Sequence, residues 1–354
     1  MKTLVLGLES ADADLLFGLE DLPFLRRLME VGCYGRLESV VPPASIPAWM
    51  CLATGQDPGS LGIYGSRSSV EHSEDAPGTA TFRSVAGQTI WDHLGREGKP
   101  SILVGVPPTE HPWKIHGISV GWSLTPDTDN VVFTHPSELS QEIRTLVGRY
   151  PNAANESPSR SGVDLAEQIL AMSQTQFRVV RHLMQTKPWD YFQFVDIGLD
   201  RLHHGFMRNH DFAHDERGAD SLHLETLRPY YRHLDDEIGK VLELLDEETV
   251  VLVVSPHGPH DPEAALPVSD RDNCSELGAF ILAGPIRTLG GEVRGARLVD
   301  IAPTLLDLGG HEIPRSMQGR SLVELGAHES PGGGRPDADE EQLIRERLSG
   351  LGYI

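Results

Sequence analysis

Along the chain, short continuous apolar runs alternate with longer stretches whose apolar residues recur at helical spacing. The runs Thr3–Leu8, Ser101–Val106, Tyr191–Val195, Val250–Ser255 and Ala279–Ala283 have the length and composition of strands buried on both faces. Between them, Leu165–Met184, Leu222–Leu245 and Val299–Leu308 read as helices. In Leu222–Leu245 the residues Leu234, Ile238, Val241, Leu242 and Leu245 share one face, which leaves Asp235, Asp236 and Glu237 expected in solvent. This alternation predicts an α/β fold with a mostly parallel central sheet covered on both sides.

Two stretches break the pattern. Residues 66–87 and 107–161 are rich in Pro, Ser, Gly, Asp and Thr, with turn signals such as Pro107-Pro108. They are expected to form loops and a small cap over the carboxyl edge of the sheet, where substrate selection would occur. One catalytic domain is therefore expected over residues 1–327. After it, 328–340 read as a flexible acidic linker and 341–354 as a short C-terminal helix. No internal repeat is visible.

Chemistry gathers at the ends of the strand-like runs. Glu9 follows the first run, and Pro256-His257-Gly258 follows Val250–Ser255. Ligands of α/β sheets bind beyond the carboxyl ends of strands, so both positions suit a site. Asp200 and His204 come four residues apart after Tyr191–Val195. That spacing puts a carboxylate and an imidazole on one side of a helical turn, where they can share a metal; the alternative is a solvated face or a surface hydrogen bond. Ser45, in V-P-P-A-S-I-P-A-W-M, stands at the start of a helix-like stretch. A hydroxyl there has backbone N–H groups beside it that suit an anion, unless it serves only as the N-cap. Asp196, four residues before Asp200, is expected to cap or brace the turn.

Taken in order, strand–Glu9, Ser45-x-Pro47, Asp200-x-x-x-His204 and strand–Pro256-His257-Gly258 resemble the alkaline phosphatase superfamily. Within it the chain is most similar to the type I phosphodiesterase and nucleotide pyrophosphatase branch. The likeness also covers L-P-F-L-R-R-L-M-E-V-G-C-Y-G-R-L-E-S, A-T-G-Q-D-P-G-S-L-G-I-Y-G, L-V-D-I-A-P-T-L-L-D-L-G-G and the terminal R-L-S-G-L-G-Y-I. The resemblance implies an alkaline-phosphatase-like three-layer sandwich and a Ser or Thr nucleophile flanked by two metal ions, commonly zinc, on six side chains. Carried over by position, Ser45 matches the nucleophile, Asp200 and His204 match ligands of one metal, and His257 matches a ligand of the other.

Three positions depart from the family pattern. Glu9 stands where the family has Asp, Pro256 where it has the Asp of S-D-H-G, and Cys274 where it has His. Glu9 keeps the carboxylate on a longer stem, and Cys274 can ligate zinc as thiolate, so Asp200, His204 and Cys274 could close one site. Pro256 has no ligand to offer. Asp261, His260, Asp270 and Asp272 are nearby replacements for the missing carboxylate, or ordinary loop residues. The metal set expected is thus Glu9, Ser45, Asp200, His204, His257 and Cys274, around one or two divalent ions, zinc foremost.

The activity implied is metal-dependent hydrolysis of phosphate esters through a phospho-Ser45 intermediate. The alternative is a divergent member with an altered or single metal site, catalysing another phosphoryl or sulfuryl transfer or an elimination, or a non-catalytic binding protein. Sulfatases carry C/S-x-P-x-R, and Trp49 occupies the Arg position here, which weighs against that activity. The nucleotide pyrophosphatases proper carry Asn three residues after the nucleophile, where this chain has Ala48. Trp49 and Tyr64 are left as candidates for an apolar or stacking wall.

Composition narrows the partners. With 354 residues and 39% hydrophobic content, the chain can bury a large core. Its 30 Lys and Arg against 52 Asp and Glu give a formal charge of −22, which repels nucleic acid. A small phosphate ester remains an acceptable partner if bound cations invert the local field. Cys33, Cys51 and Cys274 are too few and odd in number for a disulfide framework. The first two lie in apolar surroundings as core residues. The opening M-K-T-L-V-L-G-L-E is too short an apolar run for a signal peptide, and nothing later reaches the roughly 18 apolar residues of a membrane span. A soluble cytoplasmic protein is therefore expected, with no membrane partner and homo-oligomerisation left open.

Overall fold

A computed structural model of the chain describes residues 1–64, 85–107, 112–121, 131–151, 162–208, 219–259, 274–285 and 290–323. The strands are β1 (Thr3–Leu8), β2 (Cys33–Glu38), β3 (Ser101–Val104), β4 (Gly117–Val120), β5 (Thr134–His135), β6 (Tyr191–Asp196), β7 (Val250–Ser255), β8 (Leu277–Ala283), β9 (Gly291–Glu292) and β10 (Ala296–Arg297). They form one sheet in the order β10-β2-β8-β7-β1-β6-β3-β4-β5, with β9 paired to β2. The strands β7, β1, β6, β3 and β4 run parallel, while β8 is antiparallel to both β7 and β2. The mostly parallel α/β sheet expected from the hydrophobic pattern is present.

Strand β1 shows why the sheet takes helices on both faces. All six of its residues are buried. Because side chains alternate along a strand, Leu4, Leu6 and Leu8 enter one apolar cluster and Val5 enters the other. The first cluster packs against α1 (Ala13–Gly18), α2 (Pro23–Val31), α6 (Leu139–Val147), α7 (Gly162–Thr186), α8 (Gly198–Arg208) and α9 (Ala219–Leu242). On the opposite side lie α3 (Ser45–Thr54), α4 (Pro58–Leu61), α5 (Ile90–Arg96) and α10 (Ile301–Gly309). Each Leu or Val taken fully from water in this way stabilises the fold by about 1.5–3 kcal/mol. The result is a helix, sheet, helix sandwich.

Strand direction then decides where the chemistry goes. β1, β6 and β7 are parallel neighbours, so their carboxyl ends meet at one edge. β8 is antiparallel to β7 and β2 is antiparallel to β8, so β2 also ends at that edge and β8 begins there. Five adjacent strands therefore deliver to a single rim the segments carrying Glu9, Ser45, Asp200, His257 and Cys274.

Several expectations are refined. Within 107–161, the described residues include β4 and β5, which extend the sheet at its edge, and α6, which packs against α7. Strand β2 has a weak sequence signal because Gly35 interrupts it and buried and exposed positions alternate. On α9, Asp236 is exposed but Asp235 and Glu237 are buried, against the expectation that all three are solvated. Asp235 accepts from the backbone N–H of Phe24 and of Leu25 at 3.2 and 2.8 Å. It thereby caps α2, whose own N-cap Leu22 has no side chain for the purpose. Glu237 is satisfied by Arg181 and Lys240. Cys33 and Cys51 lie in the core as expected. Residues 328–340 and 341–354, and nearly all of 66–87, fall outside the described residues. No helix among the described residues is long and apolar enough to cross a membrane.

Candidate active site

The Ser45 hydroxyl is the first group to place. Ser45 is the first residue of α3, and the N-cap is Ala44, which makes no side-chain cap bond. The N-cap role considered for Ser45 is therefore not the one it plays. Its Oγ is buried without a hydrogen bond of good geometry. It lies close enough to Glu9 to help keep that carboxylate ionised. A hydroxyl placed there has the positive end of the helix dipole beside it, which favours an incoming anion.

Glu9 leaves β1 with only 2% of its surface exposed. Its backbone N–H donates to Asp196 O at 2.9 Å, continuing the pairing of β1 with β6. One carboxylate oxygen, Oε2, accepts from the Trp49 indole N–H, and the other, Oε1, lies 3.1 Å from His257 Nε2. Burial alone would raise the Glu9 pKa, but the His257 hydrogen bond and charge, with help from Ser45 and Trp49, bring it below its ordinary value. His257 is fully buried. Burial pulls its pKa down, and the Cys274 and Glu9 partners more than reverse this, so that it stands well above the usual histidine value. Cys274, which is buried, thus faces His257 across the start of β8.

Two backbone devices hold this corner. Ser255 Oγ accepts from the Ala11 N–H at 2.9 Å and donates to His257 O at 2.7 Å, tying the turn after β1 to the turn after β7. Ser10 adopts a left-handed backbone conformation at φ 58°, which is costly for a residue with a Cβ. In that conformation its hydroxyl donates to Asp200 Oδ1 at 2.8 Å.

Asp200 and His204 occupy successive turns of α8, with Oδ1 and Nε2 3.5 Å apart. Burial raises the Asp200 pKa, and the nearby Glu9 charge adds to that, while His204, Ser10 and His257 oppose it. The start of α8 is set by Asp196. Its Oδ1 accepts from the Gly198 N–H and from the Tyr230 hydroxyl, both at 2.8 Å, and its Oδ2 accepts from Ser173 Oγ at 2.6 Å. Asp196 braces the turn, as its position suggested. Gly198 is required by close approach, since a Cβ there would fall 1.8 Å from the Tyr230 hydroxyl.

The six side chains singled out in the sequence therefore share one rim, joined pairwise as Glu9 with His257, His257 with Cys274, and Asp200 with His204. Sequence reasoning passed over Ser10 and Ser255, for which it offers no signal beyond adjacency to Glu9 and His257. It also left Trp49 as a candidate for an apolar or stacking wall, whereas the indole is 0% exposed and turned onto Glu9. Asp261, His260, Asp270 and Asp272 lie outside the described residues.

The donor set suits a divalent cation. Carboxylates, imidazoles and a thiol are the ligand types of zinc, and pairs separated by 3.1 and 3.5 Å match two ligands on one ion at bond lengths of about 2 Å. Ser45 Oγ, buried beside Glu9 without a hydrogen bond of good geometry, is a polar atom such an ion would satisfy. Among the described residues, however, no group of three or more His, Cys, Asp or Glu is arranged to hold a metal. Among those residues the site supplies ligand pairs rather than a closed cage.

Comparison with known proteins agrees with this fold. Residues 3–269 match the type I phosphodiesterase / nucleotide pyrophosphatase family. A 2,3-bisphosphoglycerate-independent phosphoglycerate mutase of Paracoccus denitrificans (strain Pd 1222) is 33% identical over 95 residues, which are 25% of this chain and only 18% of the mutase. Among solved structures, the phosphonate monoester hydrolase of Silicibacter pomeroyi aligns with a TM-score of 0.54 at 17% identity, over 94% of this chain and 78% of the other. A sulfatase-like structure from Bacteroides thetaiotaomicron aligns with a TM-score of 0.56 at 14% identity, over 94% of this chain and 76% of the other. At those identities the structures establish the shared fold.

Proposed function

Because the chain belongs to the type I phosphodiesterase / nucleotide pyrophosphatase family, we propose that it is a metal-dependent hydrolase of small phosphate esters that uses Ser45 as its nucleophile. One observation carries this reading. The Ser45 hydroxyl is buried at the head of α3, against the Glu9 carboxylate, on the rim that also bears His257, Asp200, His204 and Cys274.

Glu9, His257 and Ser45, with Cys274 beside His257, would hold one divalent ion, and Asp200 and His204 would contribute to a second if two are bound. Bound there, such an ion would lower the hydroxyl pKa of Ser45 and offset the charge of the phosphoryl oxygens. Ser45 Oγ attacks phosphorus, the ester oxygen leaves on the opposite side, and a phosphoryl-serine forms. Water then attacks phosphorus, the serine oxygen departs, and Ser45 is regenerated. Backbone N–H groups at the start of α3 orient the phosphoryl oxygens during both steps. Ser10 and Asp196 keep Asp200 and His204 turned to the same rim.

The net negative charge of the chain supports a small ester over a polyanion as substrate. The test is Ser45→Ala assayed on an activated aryl phosphodiester, with metal content measured in parallel. The variant is expected to lose turnover by about 10²-fold or more, roughly what removing a covalent nucleophile costs, while its remaining ligands still retain metal. Equal rates in the two proteins would remove Ser45 from the mechanism.

A further inference from the structure

Strand β1 presents Val5, Gly7 and Glu9 to the face covered by α3, because alternate residues of a strand share a side. On α3, Ser45 and Trp49 are four residues apart and so lie one above the other. The Trp49 ring rests on Gly7. A Cβ at position 7 would sit 2.3 Å from Trp49 Cη2 and 2.9 Å from Cζ2, so only glycine leaves room for the ring. The indole is completely buried, and its N–H can only donate. A buried donor left without an acceptor destabilises the fold, and the acceptor it finds is Glu9 Oε2.

We propose that Trp49 is a positioning residue for Glu9, holding one carboxylate oxygen so that the other is aimed at His257 and the cation position, and that Gly7 makes this possible. The proposal rests on the functional reading above and deepens it. It also accounts for glutamate at position 9. Glu9 spans two partners at once, with Oε2 at the indole and Oε1 3.1 Å from His257 Nε2. A carboxylate one methylene shorter is drawn back toward β1 and cannot keep both. Trp49 thus plays a part suited to a donor that fixes a ligand without touching the ion or the substrate. Partners of that kind change metal affinity or activity by about 10–100-fold when removed.

The experiment compares the parent chain, Trp49→Phe, Glu9→Asp and the double variant, each also in a Ser45→Ala background. The readouts are zinc affinity, by competition with a chelating dye, and kcat and KM on the aryl phosphodiester. Trp49→Phe keeps an aromatic ring over Gly7 and removes only the donor and one ring edge. It is expected to weaken zinc binding by about 10–100-fold in both backgrounds and to lower kcat more than KM rises. Glu9→Asp should have a similar effect, and the double variant should be no worse than either single change, since each breaks the same contact.

A purely structural tryptophan gives additive losses in this cycle, or a lowered unfolding midpoint with unchanged zinc affinity, and either result would overturn the proposal. Should Trp49→Phe fail to fold, Glu9→Asp still decides. Its indole signal in a spectrum of ¹⁵N-tryptophan protein must shift and lose protection from exchange, and an unmoved, protected signal refutes the contact. If Ser45→Ala turns over normally while Trp49→Phe still loses zinc, the positioning role stands and the nucleophile assignment alone fails.

Discussion

Removing the Asp196 carboxylate is the most informative stability test, because three donors converge on it beneath the helix that carries Asp200 and His204. Asp196 is 1% exposed, and Gly198 N–H, Tyr230 OH and Ser173 OH all donate to it within 2.6–2.8 Å. Asp196→Ala leaves Gly198 N–H and Tyr230 OH without an acceptor, while the Ser173 hydroxyl can turn to His233 Nε2. At about 1–3 kcal/mol for each of the two buried unsatisfied donors, less what a water entering the vacated volume recovers, the loss comes to about 2–4 kcal/mol.

Asp196→Asn separates geometry from charge. Its Oδ1 still serves Gly198 and Tyr230, while the new amide faces Ser173 Oγ. The Ser173 hydroxyl can reverse to accept from it, giving its own proton to His233 Nε2 at 3.0 Å. The expected cost is only about 1 kcal/mol. Urea unfolding followed by fluorescence reads both variants, with the Ala midpoint falling about three times further than the Asn midpoint. Activity should follow the same order, since the first turn of α8 loosens only in the alanine variant. An Asp196→Ala protein within 1 kcal/mol of the parent would refute the claim that this carboxylate fixes the start of α8.

Two further expectations follow from other groups. Cys274→Ala should lower zinc affinity by about 10-fold or more, as loss of a ligand or of its neighbour does, and full metal occupancy in that variant would remove Cys274 from the site. Burial raises the pKa of Glu237, and Lys240 and Arg181 more than offset this, so its folded value lies below the ordinary glutamate value. The group therefore contributes stability that is present above the unfolded-state pKa and lost as pH falls through the folded one. Glu237→Gln should lower stability at neutral pH and flatten its decline in acid, and parallel stability–pH curves for the two proteins would contradict the assignment.

How far this protein was legible in its sequence depends on the range of the interaction. Strands β1 and β7 end where their apolar runs end, because a fully buried strand needs nothing but apolar residues and a stop. Strand β2 was hidden by its alternating exposure and central glycine. The family order of Glu9, Ser45, Asp200, His204 and His257 was visible as spacing and resemblance. Their meeting at one rim follows from the strand order β2-β8-β7-β1-β6, which no local pattern encodes. Trp49 illustrates the same limit. Its distance from Ser45 was plain, but its burial depends on the missing side chain of Gly7, contributed by another element. Asp235 and Glu237 were misread because an acid on an amphipathic helix looks solvated until its partners, here the head of α2 and Arg181, are known.

The central claim is that Ser45 Oγ is the atom to which phosphorus is transferred. Quenching the protein during turnover of an aryl phosphodiester, followed by mass spectrometry of its peptides, tests this directly. A phosphoryl-derived mass on the Ser45 peptide, absent from Ser45→Ala, is the expected result. Sustained turnover with no adduct at Ser45, or an adduct on another residue that survives in Ser45→Ala, would contradict the account.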